Sequence, residues 1–139
     1  MMRLTLRMMT LIYIVAIFVL ADSPMAKELS RFNPYSLLHI PLYGMLSLLL
    51  LFSFPPTSKL PLTHPGISLL PIQISEKKAF FRSGIIALAI GMADEIYQSY
   101  LPSRDASVMD LFLDFSGIVL ALFCLYYFLK TRNRKTQKV

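Results

Sequence analysis

Polar residues that could do chemistry crowd into one short connection of this chain. Asp94, Glu95 and Gln98 come first, and Arg104 and Asp110 follow. The connection joins two apolar segments that are each long enough to cross a membrane. An ionisable side chain in hydrocarbon costs ~2.5–3.5 kcal/mol even on the lenient insertion scale. The concentration of such side chains at one place therefore predicts a site.

These residue types fit both an enzyme and a binding site. His39 and Glu95 could act as a general base or acid, and they are the catalytic candidates. Arg104 suits a phosphate or a carboxylate, because its planar guanidinium donates two hydrogen bonds at once. Asp110 could orient the other groups. A Ser/His/acid triad is not predicted, because no serine lies in a nucleophile-elbow context.

No metal and no cofactor is assigned from the sequence. His39, Glu95 and Asp110 have ligand types that transition metals accept. However, the sequence has neither an HExxH motif nor a paired Cys/His spacing. The single cysteine, Cys124, lies in an apolar run and can form no intramolecular disulfide.

Composition indicates an integral membrane protein with one domain. The 139 residues are 55% hydrophobic and only 16% charged, whereas a soluble domain carries about 25% charged residues. The net charge of +6 does not predict nucleic-acid binding, because the Lys and Arg residues mostly flank the apolar segments. That distribution is how membrane topology is encoded.

Four apolar segments predict an all-α fold, a compact polytopic bundle of four transmembrane helices. The spans cover about residues 4–21, 36–54, 79–100 and 111–129. A helix rises ~1.5 Å per residue, so about 20 residues cross a ~30 Å hydrocarbon core. Residues 55–78 predict a proline-rich loop and residues 130–139 a basic tail. The first span also has the basic start and small residues of a signal peptide, so both a retained and a cleaved span stay open.

Basic residues predict the orientation of these spans. Arg3 and Arg7 precede Met8–Ala21, the uninterrupted apolar core of the first span. Residues 77–82 carry three more basic residues, and the tail 130–139 carries the densest group. All of them fall on one side of a four-span protein. The positive-inside rule places that side, with both termini and the proline-rich loop, in the cytoplasm.

With this topology, three helices bring polar side chains to the same depth near the outer face. Several of these side chains recur four residues apart, so each pair shares one helix face. The candidate ligand-binding residues are His39, Tyr43, Asp94, Glu95, Gln98, Arg104, Asp110 and Asp114. Asp94 and Glu95 are adjacent and point ~100° apart, so we expect them to have different partners.

The same residues resemble the VanZ-like family of small bacterial membrane proteins. Leu38–Gly44 is similar to a His-x-x-x-Tyr element of that family. Asp94–Gln98, Leu101–Arg104, Asp110 and Gly117 are similar to its Glu-x-x-Gln, Pro-x-Arg, Asp and Gly signature. The segment Phe18–Pro24 resembles the exit of its first helix, whereas Asp114 stands where the family more often has Asn.

The resemblance implies a multi-pass protein of the bacterial cytoplasmic membrane and a role in the cell envelope. The family is named for a protein linked to resistance to teicoplanin, a glycopeptide antibiotic with a lipid tail. The implied function is binding of a lipid headgroup, or of a lipid-linked or glycopeptide ligand, at the outer face. The implied partners are membrane lipids and a lipid-linked envelope precursor or lipoglycopeptide, and oligomerisation stays open.

Three other functions remain as alternatives. A membrane-embedded enzyme could act on a lipid or a lipid-linked cell-wall precursor, with Glu95 or His39 as the base and Arg104 stabilising charge. A purely structural network could tie the helices together. A transporter ranks last, because a permeation path needs polar groups along its whole length.

The predicted topology can be tested with reporter fusions. Fusions within residues 59–78 and after Val139 are expected to report the cytoplasm, and a fusion near Lys27 the outside, because the basic residues lie on one side. A cytoplasmic signal at Lys27, or an N-terminus that begins after Ala21, would overturn the four-span topology.

Overall fold

The computed structural model describes residues 2–24, 28, 37–54, 77–102 and 107–136. Within these ranges the chain forms four helices and no strand. The helices are α1 (Met2–Ala21), α2 (His39–Ser53), α3 (Lys77–Ser99) and α4 (Val108–Thr136). The all-α fold predicted from the sequence is confirmed for this part of the chain. Nearly all of the proline-rich loop, and Lys27 and Arg104, lie outside the described residues.

The fourth helix is longer than its predicted span. It begins at Val108, where the Ser107 hydroxyl accepts a hydrogen bond from the Met109 amide at 3.2 Å. A serine before the first helical residue satisfies amides that would otherwise lack a partner. At the other end the helix continues to Thr136, into the segment predicted as a tail. Lys and Arg are good helix formers, so the loss of apolar character does not end the helix.

Among the described residues, two helices are long and apolar enough, by length and composition, to cross a membrane. They cover Arg3–Ala21 in α1 and Val108–Thr131 in α4. The helix α2 is apolar but shorter, and α3 is not in this group. Only two of the four helices thus meet the criterion, and α1, near the N-terminus, could equally be a signal sequence. The four-span arrangement therefore stays a prediction.

Neighbouring helices alternate in direction. The start of α1 meets the end of α2, where the Thr10 and Ser53 hydroxyls lie 2.7 Å apart. The ends of α1 and α3 meet at an edge-to-face contact between Phe18 and Tyr97, with ring centroids 5.7 Å apart. The Ser107 amide before α4 contacts Glu95 near the end of α3. The end of α3 thus lies beside the starts of α2 and α4.

A core of apolar side chains holds the helices together below the polar residues. It contains Ile17 of α1, Leu46 and Leu50 of α2, Ala87 of α3 and Ile118 of α4. Tyr43 belongs to this core as well and is fully buried. The buried ionisable residues therefore lie at one end of the apolar core and are not spread through it.

Glycine allows α2 and α4 to approach backbone to backbone. A Cβ atom on Gly117 would overlap the carbonyl group of Ile40, and a Cβ on Gly44 would lie 3.1 Å from the carbonyl oxygen of Gly117. Small residues permit such close contact between membrane helices. The contact lies next to His39 and so determines how near the starts of these two helices come.

The change Gly117→Ala is expected to destabilise the protein, whereas Gly84→Ala should not. A new methyl group at Gly117 meets rigid backbone, and overpacking of this kind costs about 1–3 kcal/mol. At Gly84 the same methyl group would lie 3.4 Å from a Leu122 side-chain carbon, an ordinary contact. Both changes raise helix propensity equally, so the difference in unfolding free energy reports the clash alone. Equal stability of the two variants would contradict the close approach of α2 and α4.

Candidate functional site

Buried polar side chains gather where α2 begins, α3 ends and α4 begins. We call this group the polar cluster. Its members are His39, Tyr43, Asp94, Glu95, Gln98, Asp110 and Asp114. Asp110 is half-buried, and the others are at most 8% exposed. Three helices contribute to the cluster, so it forms only when the bundle is assembled.

A short contact joins α2 and α4 in the polar cluster. The Nδ1 atom of His39 lies 2.7 Å from the Oδ1 atom of Asp114, which is fully buried. With an ionised carboxylate the imidazole Nδ1–H is the donor. The sequence had placed both residues at this end, but it did not pair them. The pairing depends on the side-by-side packing of α2 and α4 at Gly117, which brings the first turn of α2 to the second turn of α4.

A second set of hydrogen bonds joins α2 and α3. The Tyr43 hydroxyl donates to Oδ2 of Asp94 at 3.0 Å, and the Gln98 side-chain amide donates to the same oxygen at 2.9 Å. The Tyr43 ring stacks on His39 with centroids 6.0 Å apart. Tyr43 therefore contacts both residues: its hydroxyl bonds to the Asp94 carboxylate, and its ring lies against the imidazole of His39.

Glu95 has a different partner from its neighbour Asp94, as the ~100° separation between adjacent helical residues predicts. The Oε2 atom of Glu95 accepts a hydrogen bond from the Ser107 amide at 2.9 Å, just before α4 begins. A carboxylate is stabilised near a helix N-terminus, because the amides there are partially positive. Glu95 thereby fastens the end of α3 to the start of α4.

Three carboxylate oxygens of the polar cluster are buried without a hydrogen-bond partner among the described residues. They are Oε1 of Glu95, Oδ1 of Asp110 and Oδ2 of Asp114. In the described part of the chain, no Lys or Arg side chain forms an ion pair with these acids. A buried acceptor without a donor costs roughly 1–3 kcal/mol, and a charged one costs more. The cluster is therefore suited to a partner that carries positive charge or hydrogen-bond donors.

Three members of the cluster are close enough together to be candidate metal ligands. His39, Glu95 and Asp114 each offer one ligand atom, and these atoms lie within 4.8 Å of one another. The sequence had suggested Asp110 as the third ligand type in such a group. The structure instead places Asp114, one turn further along α4, next to the imidazole.

All but one of the sequence-predicted ligand-binding residues lie at this end of the bundle. The exception is Arg104, which lies outside the described residues, so its position relative to the acids stays a prediction. The Ser107 amide was missed by sequence reasoning, because a backbone group carries no sequence signal. The start of α4 at Val108 was the feature that could have indicated it.

Sequence reasoning also missed a polar contact at the opposite end of the bundle. The Thr10 hydroxyl donates to the Leu6 carbonyl at 2.8 Å and lies 2.7 Å from the Ser53 hydroxyl. The Arg7 side chain donates to the Ser53 carbonyl at 3.3 Å. Small hydroxyls in apolar helices are the signal that could have indicated this contact. These groups are satisfied locally and bring no acid into the interior.

Comparison with known proteins finds no matching family model, no similar curated protein and no similar solved structure. The resemblance to the VanZ-like family therefore stays a prediction that depends on the motif residues.

The change Tyr43→Phe is expected to lower the unfolding free energy by about 1 kcal/mol, because it removes a buried donor from Asp94. Tyr127→Phe is the matched control, since Tyr127 is 61% exposed on α4 and such changes usually stay within about 0.5 kcal/mol. The unfolding free energies of both variants are measured in detergent. A Tyr43→Phe variant as stable as the control would mean that the hydroxyl does not support the cluster.

Proposed function

We propose that this chain is a multi-pass protein of the bacterial cytoplasmic membrane that binds a lipid headgroup or a lipid-linked envelope ligand. The polar cluster, together with Arg104, would form the binding site at the outer face. One observation carries the proposal: buried carboxylate oxygens of the cluster lack a partner among the described residues. Ionisable groups buried at such a depth are functional candidates by default.

The outward faces of the helices support a membrane setting. Large apolar side chains are exposed along α1 and α4, for example Leu11, Val15, Phe112, Val119 and Phe123. A water-soluble monomer rarely exposes so much continuous apolar surface, whereas lipid solvates it. The charged residues of α3 are confined to its two ends, so its middle, residues 83–93, also suits a membrane interior.

Charge separation between the two ends of the bundle supports the proposed orientation. Arg3, Lys77, Lys78 and Lys130 are exposed at the end opposite the polar cluster. Basic ends face the cytoplasm in most membrane proteins. The polar cluster would then face outward, where envelope precursors and lipid-tailed glycopeptides are found. The resemblance to the VanZ-like family implies the same location.

The chemistry of the site favours a ligand with both an anionic group and hydrogen-bond donors. Arg104 would contact a phosphate or carboxylate through two parallel hydrogen bonds. The unpartnered Oδ1 of Asp110 would accept a hydrogen bond from a hydroxyl or ammonium group of the same ligand. Headgroups of membrane lipids and lipid-linked sugars offer both kinds of group.

A membrane-embedded enzyme is the second candidate, and the His39–Asp114 pair favours it. A carboxylate that holds Nδ1 of an imidazole leaves Nε2 free to accept or donate a proton, as in many acid–base sites. No described serine hydroxyl is hydrogen-bonded to His39, and the hydroxyl of Ser107, whose amide contacts the cluster, accepts a hydrogen bond from the Met109 amide. The hydroxyls of Ser99 and Ser116 donate to carbonyl groups of their own helices, Ile96 and Phe112.

The ligand can be identified by native mass spectrometry of the protein released gently from its own membrane. The wild type is expected to retain a lipid or envelope precursor, and Arg104→Gln to lose it, because the anionic group then has no guanidinium. The thermal stability of Arg104→Gln should stay within about 1 kcal/mol of wild type, since ion pairs near the surface contribute little. Lys130→Gln is the control: it removes one exposed cation at the other end and should retain the ligand.

Three outcomes separate the candidates. Loss of the ligand in Arg104→Gln, with Lys130→Gln unaffected, supports a binding site at the polar cluster. A chemically altered lipid that accumulates only with the wild type, and not with His39→Gln, favours the enzyme. If all variants retain the same lipids in the same amounts, both proposals fail and the cluster is a structural network.

A further inference from the structure

We propose that His39, Glu95 and Asp114 bind one divalent first-row transition-metal ion, with Zn²⁺ as the best-fitting ion. The site would lie between α2, α3 and α4, one ligand from each helix. This inference goes beyond ligand binding, because it requires only the three side chains and does not depend on Arg104.

The positions of the ligand atoms carry the first argument. One ligand atom from each of His39, Glu95 and Asp114 lies within 4.8 Å of the others. Ligands ~2.0–2.2 Å from a tetrahedral zinc ion are separated by ~3.3–3.6 Å, so a separation at the 4.8 Å limit has to shorten by about 1 Å. Rotation of one carboxylate side chain supplies a movement of that size without moving a helix.

The unpartnered oxygens give a second and independent argument. Oδ2 of the fully buried Asp114 and Oε1 of Glu95, which is 8% exposed, accept no hydrogen bond among the described residues. Their partner oxygens are already engaged, by His39 and by the Ser107 amide respectively. Each acid is thus held in place by one oxygen and offers the other, which is how a ligand is oriented by its surroundings.

Charge favours a divalent ion over a monovalent one. Two ionised carboxylates and one neutral imidazole carry a charge of about −2, and a divalent cation neutralises it. Bringing two carboxylates without a cationic partner into a low-dielectric interior disfavours folding, so neutralisation by the ion stabilises the assembled bundle. His39 would ligate the ion through Nε2, so that Nδ1 keeps the proton that it donates to Oδ1 of Asp114 and no proton is released.

The ligand types select the class of metal. Imidazole with carboxylate oxygens suits Zn²⁺, Mn²⁺ and Fe²⁺, whereas Ca²⁺ and Mg²⁺ prefer oxygen ligands alone. Three protein ligands leave at least one position open, as in sites where zinc holds a water or a ligand oxygen. The absence of a side chain at Gly91 leaves room for the Asp114 carboxylate, since a Cβ atom there would lie 2.7 Å from Oδ2 of Asp114.

The test uses the full-length protein in detergent, stripped with a chelator and then titrated with Zn²⁺ alone. We expect one Zn²⁺ per chain by native mass spectrometry and elemental analysis. His39→Gln and Asp114→Asn should each bind at least about 100-fold more weakly, since even changes outside the ligand set cost 10–100-fold. His64→Gln, which removes the other histidine of the chain, should bind as tightly as wild type. Arg104→Gln should bind at least as tightly, because the loss of a neighbouring cation does not weaken the binding of a cation.

A spectroscopic measurement on the wild type keeps the test decisive if a variant fails to accumulate. X-ray absorption of the zinc-loaded protein should show nitrogen and oxygen ligands with the scattering pattern of one imidazole and no sulfur. Less than stoichiometric binding by the wild type, a sulfur ligand, or equal affinity in the accumulated His39→Gln and Asp114→Asn variants would overturn the metal site. Because Arg104→Gln keeps the metal but loses the lipid ligand, failure of one proposal is distinguishable from failure of the other.

Discussion

Burial of carboxylates among α2, α3 and α4 is the constraint on which the rest of this structure depends. A charged group removed from water must find a partner or destabilise the fold. Asp114 finds His39 at 2.7 Å, Asp94 finds Tyr43 at 3.0 Å, and Glu95 finds the Ser107 amide at 2.9 Å. Each of these contacts joins a different pair of segments. The buried carboxylates, whose desolvation disfavours folding, therefore also determine how the three helices are aligned.

The two ends of the bundle have opposite character, and this separates stability from function. Below the polar cluster, the apolar core and the close contact at Gly117 hold α2 against α4. At the far end, exposed basic residues and the Thr10–Ser53 contact need no buried charge. Only the polar cluster keeps acceptor atoms without partners in the described part of the chain. Because of these unpartnered acceptors, the ligand site and the metal site are both proposed at this end of the bundle.

Sequence reasoning predicted the helices and the residues of the cluster, but not their pairing. Apolar segments of membrane length indicated all four helices, and the alternation of direction placed His39, Asp94 and Asp114 at one end. The His39–Asp114 contact could not be predicted, because it depends on how far α4 slides along α2, and that is determined by the backbone contact at Gly117. The partner of Glu95 is a backbone amide, which leaves no trace in residue identity.

A double-mutant cycle between His39 and Asp114 tests most directly that these helices bury one coupled polar cluster. The unfolding free energy of His39→Gln, Asp114→Asn and the double variant would be measured by detergent titration with a chelator present, so that the pair is compared without metal. Polar pairs between membrane helices average ~0.6 kcal/mol of coupling and reach ~1.7, and the short, fully buried contact predicts a value in the upper part of that range. The cycle of His39→Gln with Ser53→Ala, about 21 Å away along α2, should be additive. Additivity of the His39 and Asp114 changes within about 0.3 kcal/mol would contradict the account.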